Sequence, residues 1–200
     1  MKGLRKLAAL ALLAGCADAP PQAEPAEPLP ALSATDTASA IEQGDRIAST
    51  VAQGLVQRLQ GELAAEGAAG AVDFCSGTAL VLTDSLVAAE PAGTAVKRTS
   101  LRIRNPKNAP DSLELVALAW FDSARAAGAL PQSYIQQAGP GEVRFYRPLV
   151  VQGFCTQCHG APEQIDAAVQ QVLAERYPAD AATGYAEGDL RGVIRVSLPR

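Results

Sequence analysis

The sequence predicts an α+β fold with an antiparallel sheet. Residues 35–90 carry apolar side chains at helical spacing, whereas the second half contains short alternating segments separated by glycine- and proline-rich turns. Helices that come first, followed by hairpins, favour this fold class. No internal repeat is visible in the sequence.

The first 15 residues have the features of a secretory signal peptide. Three basic residues precede an apolar run that is too short to span a membrane as a helix. The segment LAGC resembles a bacterial lipobox, so Cys16 is expected to become the first mature residue and to carry the lipid. A plain signal peptide with a coincidental cysteine is the alternative. The expected location is the periplasm of a Gram-negative bacterium, with the lipid in the outer or inner membrane.

Residues 16–34 are rich in alanine, proline and glutamate and predict a semi-extended tether without a core. The folded domain is expected over residues 35–200. Loss of residues 1–15 removes three basic residues and no acidic one, which leaves 14 basic and 21 acidic side chains and a formal charge of −7. This acidic balance does not suggest a nucleic-acid binder, which would show a basic excess.

Two helices are predicted in the first half of the domain. The first is a long N-terminal helix that begins near Thr35, has an apolar residue at every fourth position from Ile47 to Leu63, and ends at Gly67. The second runs from about residue 71 to residue 89. Cys75 shares the apolar face of this second helix and is therefore expected to point inward.

The remaining elements follow from alternation and turn residues. A strand is predicted through residues 94–104, and Asp111 with Glu114 forms a capping box for a helix that ends near Ala127. Two strands flank the turn AGPG, a short helix covers about residues 162–176, and a last strand lies at residues 192–199.

The segment GFCTQCHG contains the motif C-x-x-C-H, which is typical of covalent attachment of a c-type haem. Cys155 and Cys158 would form the thioethers, and His159 would bind the iron. The helical spacing of these residues directs all three side chains towards one object. The alternatives are a zinc site that adds Cys75 to these three residues, a thioredoxin-like redox pair, and a surface loop.

Longer motifs resemble a known family of exported, PAS-like c-type haem proteins, first described as a domain of unknown function. Its members occur alone in cyanobacteria and proteobacteria, and as input modules of membrane-bound kinases and chemotaxis receptors. The matching stretches are RTSLRIRNPKNAPD, FYRPLVV with CTQCHG, and YPADAATGYAEGDLRGVIRVSL, with a weaker match at AVDFCSGTA. The resemblance implies a five-stranded antiparallel PAS-like sheet flanked by helices, and one haem held by histidine on one side and cysteine on the other, here Cys75.

Composition supports a cysteine ligand by elimination. Met1 is the only methionine and His159 the only histidine, so the usual partners in cytochromes c are missing from the mature chain. Lys97, Lys107 and the tyrosines are weaker candidates. Cys75 is unpaired and, as a thiolate, a soft donor. A buried small hydrophobe in place of a ligand, with an open sixth position on the iron, remains the alternative.

The haem propionates need cations or hydrogen-bond donors. Arg98, Arg102, Arg104 and Tyr146 are the predicted contacts, with Arg144, Arg147 and Tyr185 as further candidates. A solvated surface position is the alternative for any one of these arginines.

The predicted function is a lipid-anchored monohaem protein that senses redox state or a diatomic gas, because reduction could loosen a thiolate ligand. The alternative is a periplasmic electron carrier with no sensing role. An enzyme such as a peroxidase is not expected, because no second histidine is available as a distal base. The expected partner is a periplasmic redox or signalling protein.

Overall fold

The computed structural model describes residues 31–200. The predicted signal peptide, the lipid site at Cys16 and most of the predicted tether lie outside the described residues. Ser33 caps the first helix by accepting a hydrogen bond from the backbone N–H of Asp36. The elements are α1 (Ala34–Asp73), α2 (Ala79–Val87), β1 (Ala95–Thr99), α3 (Ser112–Ala126), β2 (Tyr134–Gly139), β3 (Glu142–Val150), α4 (Thr156–His159), α5 (Ala167–Arg176) and β4 (Leu190–Pro199).

The sheet has four antiparallel strands in the order β1-β4-β3-β2. The α+β class and the hairpin at AGPG are confirmed, but the described residues contain no fifth strand. The strand predicted through Arg104 ends at Thr99. The physical reason is a side-chain turn: the Ser100 hydroxyl donates to the Arg102 carbonyl oxygen and accepts from the Arg102 backbone N–H, so the chain leaves the sheet.

Helix α1 covers one face of the sheet. Ile47 and Ala48 pack in a buried cluster with Phe145, Ile194 and Val196. By length and composition alone, the segment Ala34–Val87 could cross a membrane. Within α1, the side chains of Ile47, Ala48 and Val51 are buried in the protein.

Helix α1 approaches the sheet closely at Gly44, where an added Cβ would overlap the Cβ and Cγ atoms of Phe145. We expect Gly44→Ala to lower the free energy of unfolding by about 1–3 kcal/mol, because Phe145 is fully buried and cannot retreat. Gly61 lies in the same helix with no atom within 4 Å of an added Cβ. Gly61→Ala should therefore stabilise the protein by up to about 1 kcal/mol. Urea denaturation of both variants tests this contrast, and equal effects would contradict it.

The second predicted helix has an irregular start. Gly67 has φ +68 and kinks α1, but the helix resumes and continues to Asp73. A π-helical turn, Phe74–Thr78, then joins α1 to α2. Cys75 lies in this wider turn, between the buried Phe74 and Ala79. The predicted inward direction of Cys75 is correct, although the regular helix expected around it is interrupted.

Helix α3 covers the opposite face of the sheet. Its capping box forms as predicted, with the Asp111 side chain accepting from the Glu114 backbone N–H and the Glu114 carboxylate accepting from the Asp111 backbone N–H. Leu118 and Phe121 pack with Tyr146 and Val193. The helix predicted from Pro162 begins as a short 3₁₀ turn, and α5 itself starts after the capping residue Asp166.

Candidate functional site

The C-x-x-C-H residues lie on one compact turn between the sheet and α5. Cys155 ends a 3₁₀ turn, and Cys158 and His159 belong to the single-turn helix α4. The backbone N–H of Gln152 approaches the Cys155 sulfur at 3.4 Å. Cys158 packs against the cluster formed by Val72 and α5. The helical geometry brings the three side chains to one cavity, as the spacing predicts.

The imidazole of His159 is held in a defined orientation. Its Nδ1 lies 2.7 Å from the carbonyl oxygen of Ala182. Because a carbonyl can only accept, Nδ1 carries the proton and Nε2 keeps its lone pair. Burial, together with the positive charges of Arg104 and Arg191, lowers the pKa of His159 to about 3. The ring is therefore neutral at physiological pH, which is the form that binds metals.

A cavity of about 470 Å³ extends from these residues to helix α1. Its size is within the range of about 300–1,000 Å³ found for cofactor sites. One wall consists of apolar side chains from α1, including Leu55, Leu59 and Leu63. Cys75 from the π-helical turn lines the same cavity as Cys155, Cys158 and His159. The predicted pairing of Cys75 and His159 in one site is therefore geometrically possible.

A second cavity of about 170 Å³ shares Cys75 and His159 with the first and is lined by three arginines. Arg104 forms a salt bridge with Asp180. Arg191 donates to the Ser100 hydroxyl and the Arg102 carbonyl oxygen, and burial lowers its pKa. The Nε of Arg98 is buried without a hydrogen-bond partner. Such an orphaned donor beside an apolar cavity fits a group that carries carboxylates.

Comparison with known proteins identifies the family. The profile of the Tll0287-like family, described as Tll0287, matches residues 31–199. The chain belongs to the Tll0287-like family. The assignment made from the sequence motifs is thus confirmed.

Among solved structures, the chain is similar to the crystal structure of the cyanobacterial heme-protein Tll0287. The TM-score is 0.54 with 24% sequence identity, and the match covers 84% of this chain and 98% of that chain. At this identity the likeness shows a shared fold. The comparison with curated proteins found no match.

The two C-x-x-C thiols, Cys155 and Cys158, lack the lowered pKa values of a redox pair. Burial raises the pKa of Cys158 to about 11 and also raises the pKa of Cys155, whereas reactive C-x-x-C thiols have lowered pKa values. Burial likewise raises the pKa of Cys75, although Arg98 and Arg104 oppose this shift. Within residues 31–200, no three Cys, His, Asp or Glu side chains are grouped so that they could hold a metal ion by themselves, so the geometry does not support a zinc site.

Two of the predicted propionate contacts lie away from the cavity. The Tyr146 hydroxyl donates to Gln136 at 2.8 Å on the α3 side of the sheet. The guanidinium of Arg102 stacks on the Tyr185 ring, 3.6 Å from its centroid. Neither side chain lines the site, and this corrects their assignment. Arg98 and Arg104 do line both cavities.

Of the two further arginine candidates for the propionates, one lines the larger cavity and the other does not. Arg147 lines the larger cavity, whereas Arg144 pairs with Glu142 and Asp111 on the α3 side. The amine of Lys97 is 2.7 Å from the buried Glu114 carboxylate, which removes this lysine as a ligand candidate.

Sequence reasoning did not identify Arg191 or Tyr177 as site residues, although both line the two cavities. The last strand is predicted from residue 192, but β4 already begins at Leu190 and therefore includes Arg191. A glycine within a strand often marks a close approach of another backbone, and Gly192 could have indicated that Arg191 lies in the strand beside the site. Gly192 has φ 156 and lies so close to the Thr99 carbonyl oxygen, at the end of β1, that an added Cβ would overlap it.

Proposed function

We propose that this chain binds one haem covalently through Cys155 and Cys158, with Nε2 of His159 and the sulfur of Cys75 as the two iron ligands. The observation that carries the proposal is the convergence of these four side chains on one cavity, where the imidazole is neutral and fixed through Nδ1. Membership of the Tll0287-like family supports it, because the similar solved structure is that of a heme-protein.

The arginines of the smaller cavity suit the carboxylate edge of such a cofactor. Arg98 has no acidic partner among residues 31–200, and its unpaired Nε would gain a charge-assisted hydrogen bond from a propionate. Arg104 lines the same space but is already paired with Asp180. Arg98 is therefore the stronger propionate contact of the two.

The role that we propose is that of a redox or diatomic-gas sensing module, without enzymatic activity. A bound haem would supply a one-electron iron couple and, if one ligand left, a position for CO or NO. Cys75 lies in a π-helical turn, and such turns are frequent at functional sites. Gly77 in this turn is exposed, and an added Cβ at this position would meet no atom within 4 Å, so this part of the turn has free space beside it.

The proposed location is the periplasm, with a lipid on Cys16 as the membrane anchor. In this arrangement the tether would separate the haem domain from the bilayer, and a periplasmic redox or signalling protein would receive the output. The lack of a basic excess in the mature chain is consistent with a protein partner and no nucleic acid.

The test is an optical and EPR spectrum of the full chain matured in a host that assembles c-type cytochromes. We expect one covalent haem per chain by mass and a low-spin ferric spectrum typical of a thiolate ligand. A colourless protein with no added mass would contradict the haem assignment. The reduced form distinguishes the two roles: a sensor should bind CO, whereas a carrier should stay six-coordinate and not bind CO.

A further inference from the structure

The carbonyl oxygen of Ala182 accepts hydrogen bonds from two side chains, His159 and Arg104. Nδ1 of His159 lies 2.7 Å from this oxygen. Nη2 of Arg104 lies 3.2 Å from it and also donates to the Cys158 carbonyl oxygen at 2.6 Å. A permanent cation thus shares the acceptor that orients the imidazole.

Asp180 binds both Arg104 and the backbone of Ala182, and so holds the two groups together. One of its carboxylate oxygens accepts from Arg104 Nε at 3.0 Å, and the other accepts from the Ala182 backbone N–H at 2.8 Å. Both side chains are largely buried, with exposures of 10% for Arg104 and 12% for Asp180. The pair is therefore little screened by solvent, unlike a surface salt bridge.

The loop that contains Ala182 is also hydrogen-bonded directly to the turn that carries the C-x-x-C-H motif. The backbone N–H of Tyr185 donates to the His159 carbonyl oxygen at 2.9 Å, and that of Gly184 donates to the Gly160 carbonyl oxygen. On its other side, the Ala181 N–H donates to the Ile103 carbonyl oxygen, next to Arg104. The loop thus couples Arg104 and Asp180 to the imidazole through short, defined contacts.

We infer that Arg104 and Asp180 are positioning residues that set the electron-donor strength of His159 and, through it, the reduction potential of the iron. This inference rests on the proposed function. A strong acceptor at Nδ1–H makes the imidazole a better donor and favours ferric iron. Arg104 weakens that acceptor by sharing it, and its charge disfavours the more positive ferric state. Asp180 has the opposite sign of charge and partly cancels Arg104.

The two residues should therefore shift the reduction potential in opposite directions. We expect Arg104→Gln to lower the potential, because a cation and a competing donor are lost together. Asp180→Asn should raise it, because the charge of Arg104 is then uncompensated. Arg104→Lys keeps the charge and should give a smaller shift than Arg104→Gln. The control is Arg46→Gln, which removes a similar charge from an exposed ion pair with Glu90 and should leave the potential unchanged.

The measurement is a redox titration of the haem-loaded full chain, with the optical spectrum as the readout. A merely structural role would move both variants in the same direction, because loosening of the loop admits water in either case. Shifts of one sign, or shifts no larger than that of Arg46→Gln, would overturn the inference while leaving the haem assignment intact. If Arg104→Gln fails to incorporate haem, Asp180→Asn and Arg104→Lys still decide the sign. A wild-type protein without haem would overturn both proposals.

Discussion

Replacing Cys75 with alanine is expected to convert the ferric protein from a low-spin to a high-spin spectrum. Cys75 is the one thiol at the cavity that does not belong to the C-x-x-C-H motif. In the proposed site its loss would leave the iron with His159 as the one protein ligand, and a weak or absent sixth ligand gives high-spin ferric iron. The reduction potential should rise in the same variant, because a thiolate donates electron density that stabilises ferric iron.

This change should leave the fold almost unaffected. The substitution removes a single sulfur atom from a half-buried position that packs against the cluster containing Leu55 and Phe74, so the loss of unfolding free energy should be on the order of 1 kcal/mol. Ser76→Ala is the matched control in the same π-helical turn, because the Ser76 hydroxyl donates only to the Asp73 carbonyl oxygen at 3.1 Å. We expect its spectrum to equal that of the wild type.

Optical and EPR spectra of the two ferric variants decide the ligand. A low-spin spectrum that persists in Cys75→Ala would remove Cys75 from the coordination sphere and return it to the role of a small buried hydrophobe. Equal changes in Cys75→Ala and Ser76→Ala would instead point to disruption of the turn. Only a change confined to Cys75→Ala supports ligation.

The parts of the fold that the sequence predicts correctly depend on local chemistry. The capping box at Asp111 and Glu114 forms because both partners are three residues apart on the same turn. The hairpin at AGPG forms because its glycine- and proline-rich turn joins two β-forming runs. The C-x-x-C-H residues meet because one helical turn aligns them, whatever surrounds that turn.

The parts that the sequence does not predict depend on contacts between distant segments. Phe145 and Tyr146 are adjacent in β3 and both fully buried, because α1 covers one face of the sheet and α3 covers the other. Alternation shows that the two residues point in opposite directions, but it does not show which face carries the cavity. Alternation alone therefore does not exclude Tyr146 from the site; the position of α3 does.

The position at which β1 ends also depends on a contact between distant residues. Alternation continues through Arg102 and Arg104, yet the Ser100 hydroxyl is also bound by Arg191, which is 91 residues away in the chain. This contact holds the turn that takes the segment out of the sheet. Arg104 is thereby placed next to Asp180 and the C-x-x-C-H turn, at a location that no local pattern indicates.

The second large effect is expected at Glu114, a carboxylate with no solvent exposure. Its oxygens accept from Lys97 at 2.7 Å and from Arg195 at 3.1 Å, as well as from the Asp111 backbone N–H at 2.9 Å. Glu114→Gln removes the negative charge and leaves two cations facing each other without a buried counter-charge. We expect the free energy of unfolding to fall by about 3–5 kcal/mol, the usual cost of breaking a buried pair from one side.

Glu62→Gln is the matched control, because Glu62 pairs with Arg58 one turn away on the exposed surface of α1. Such a pair contributes only about 0.3–0.5 kcal/mol. Urea denaturation of the haem-loaded protein measures both variants. Because Glu114 lies on the α3 side of the sheet, its replacement should weaken the fold and leave the ferric spectrum unchanged. A loss below 1 kcal/mol would mean that water reaches and screens Lys97 and Arg195, and a changed spectrum would mean that the sheet transmits the perturbation to the cavity.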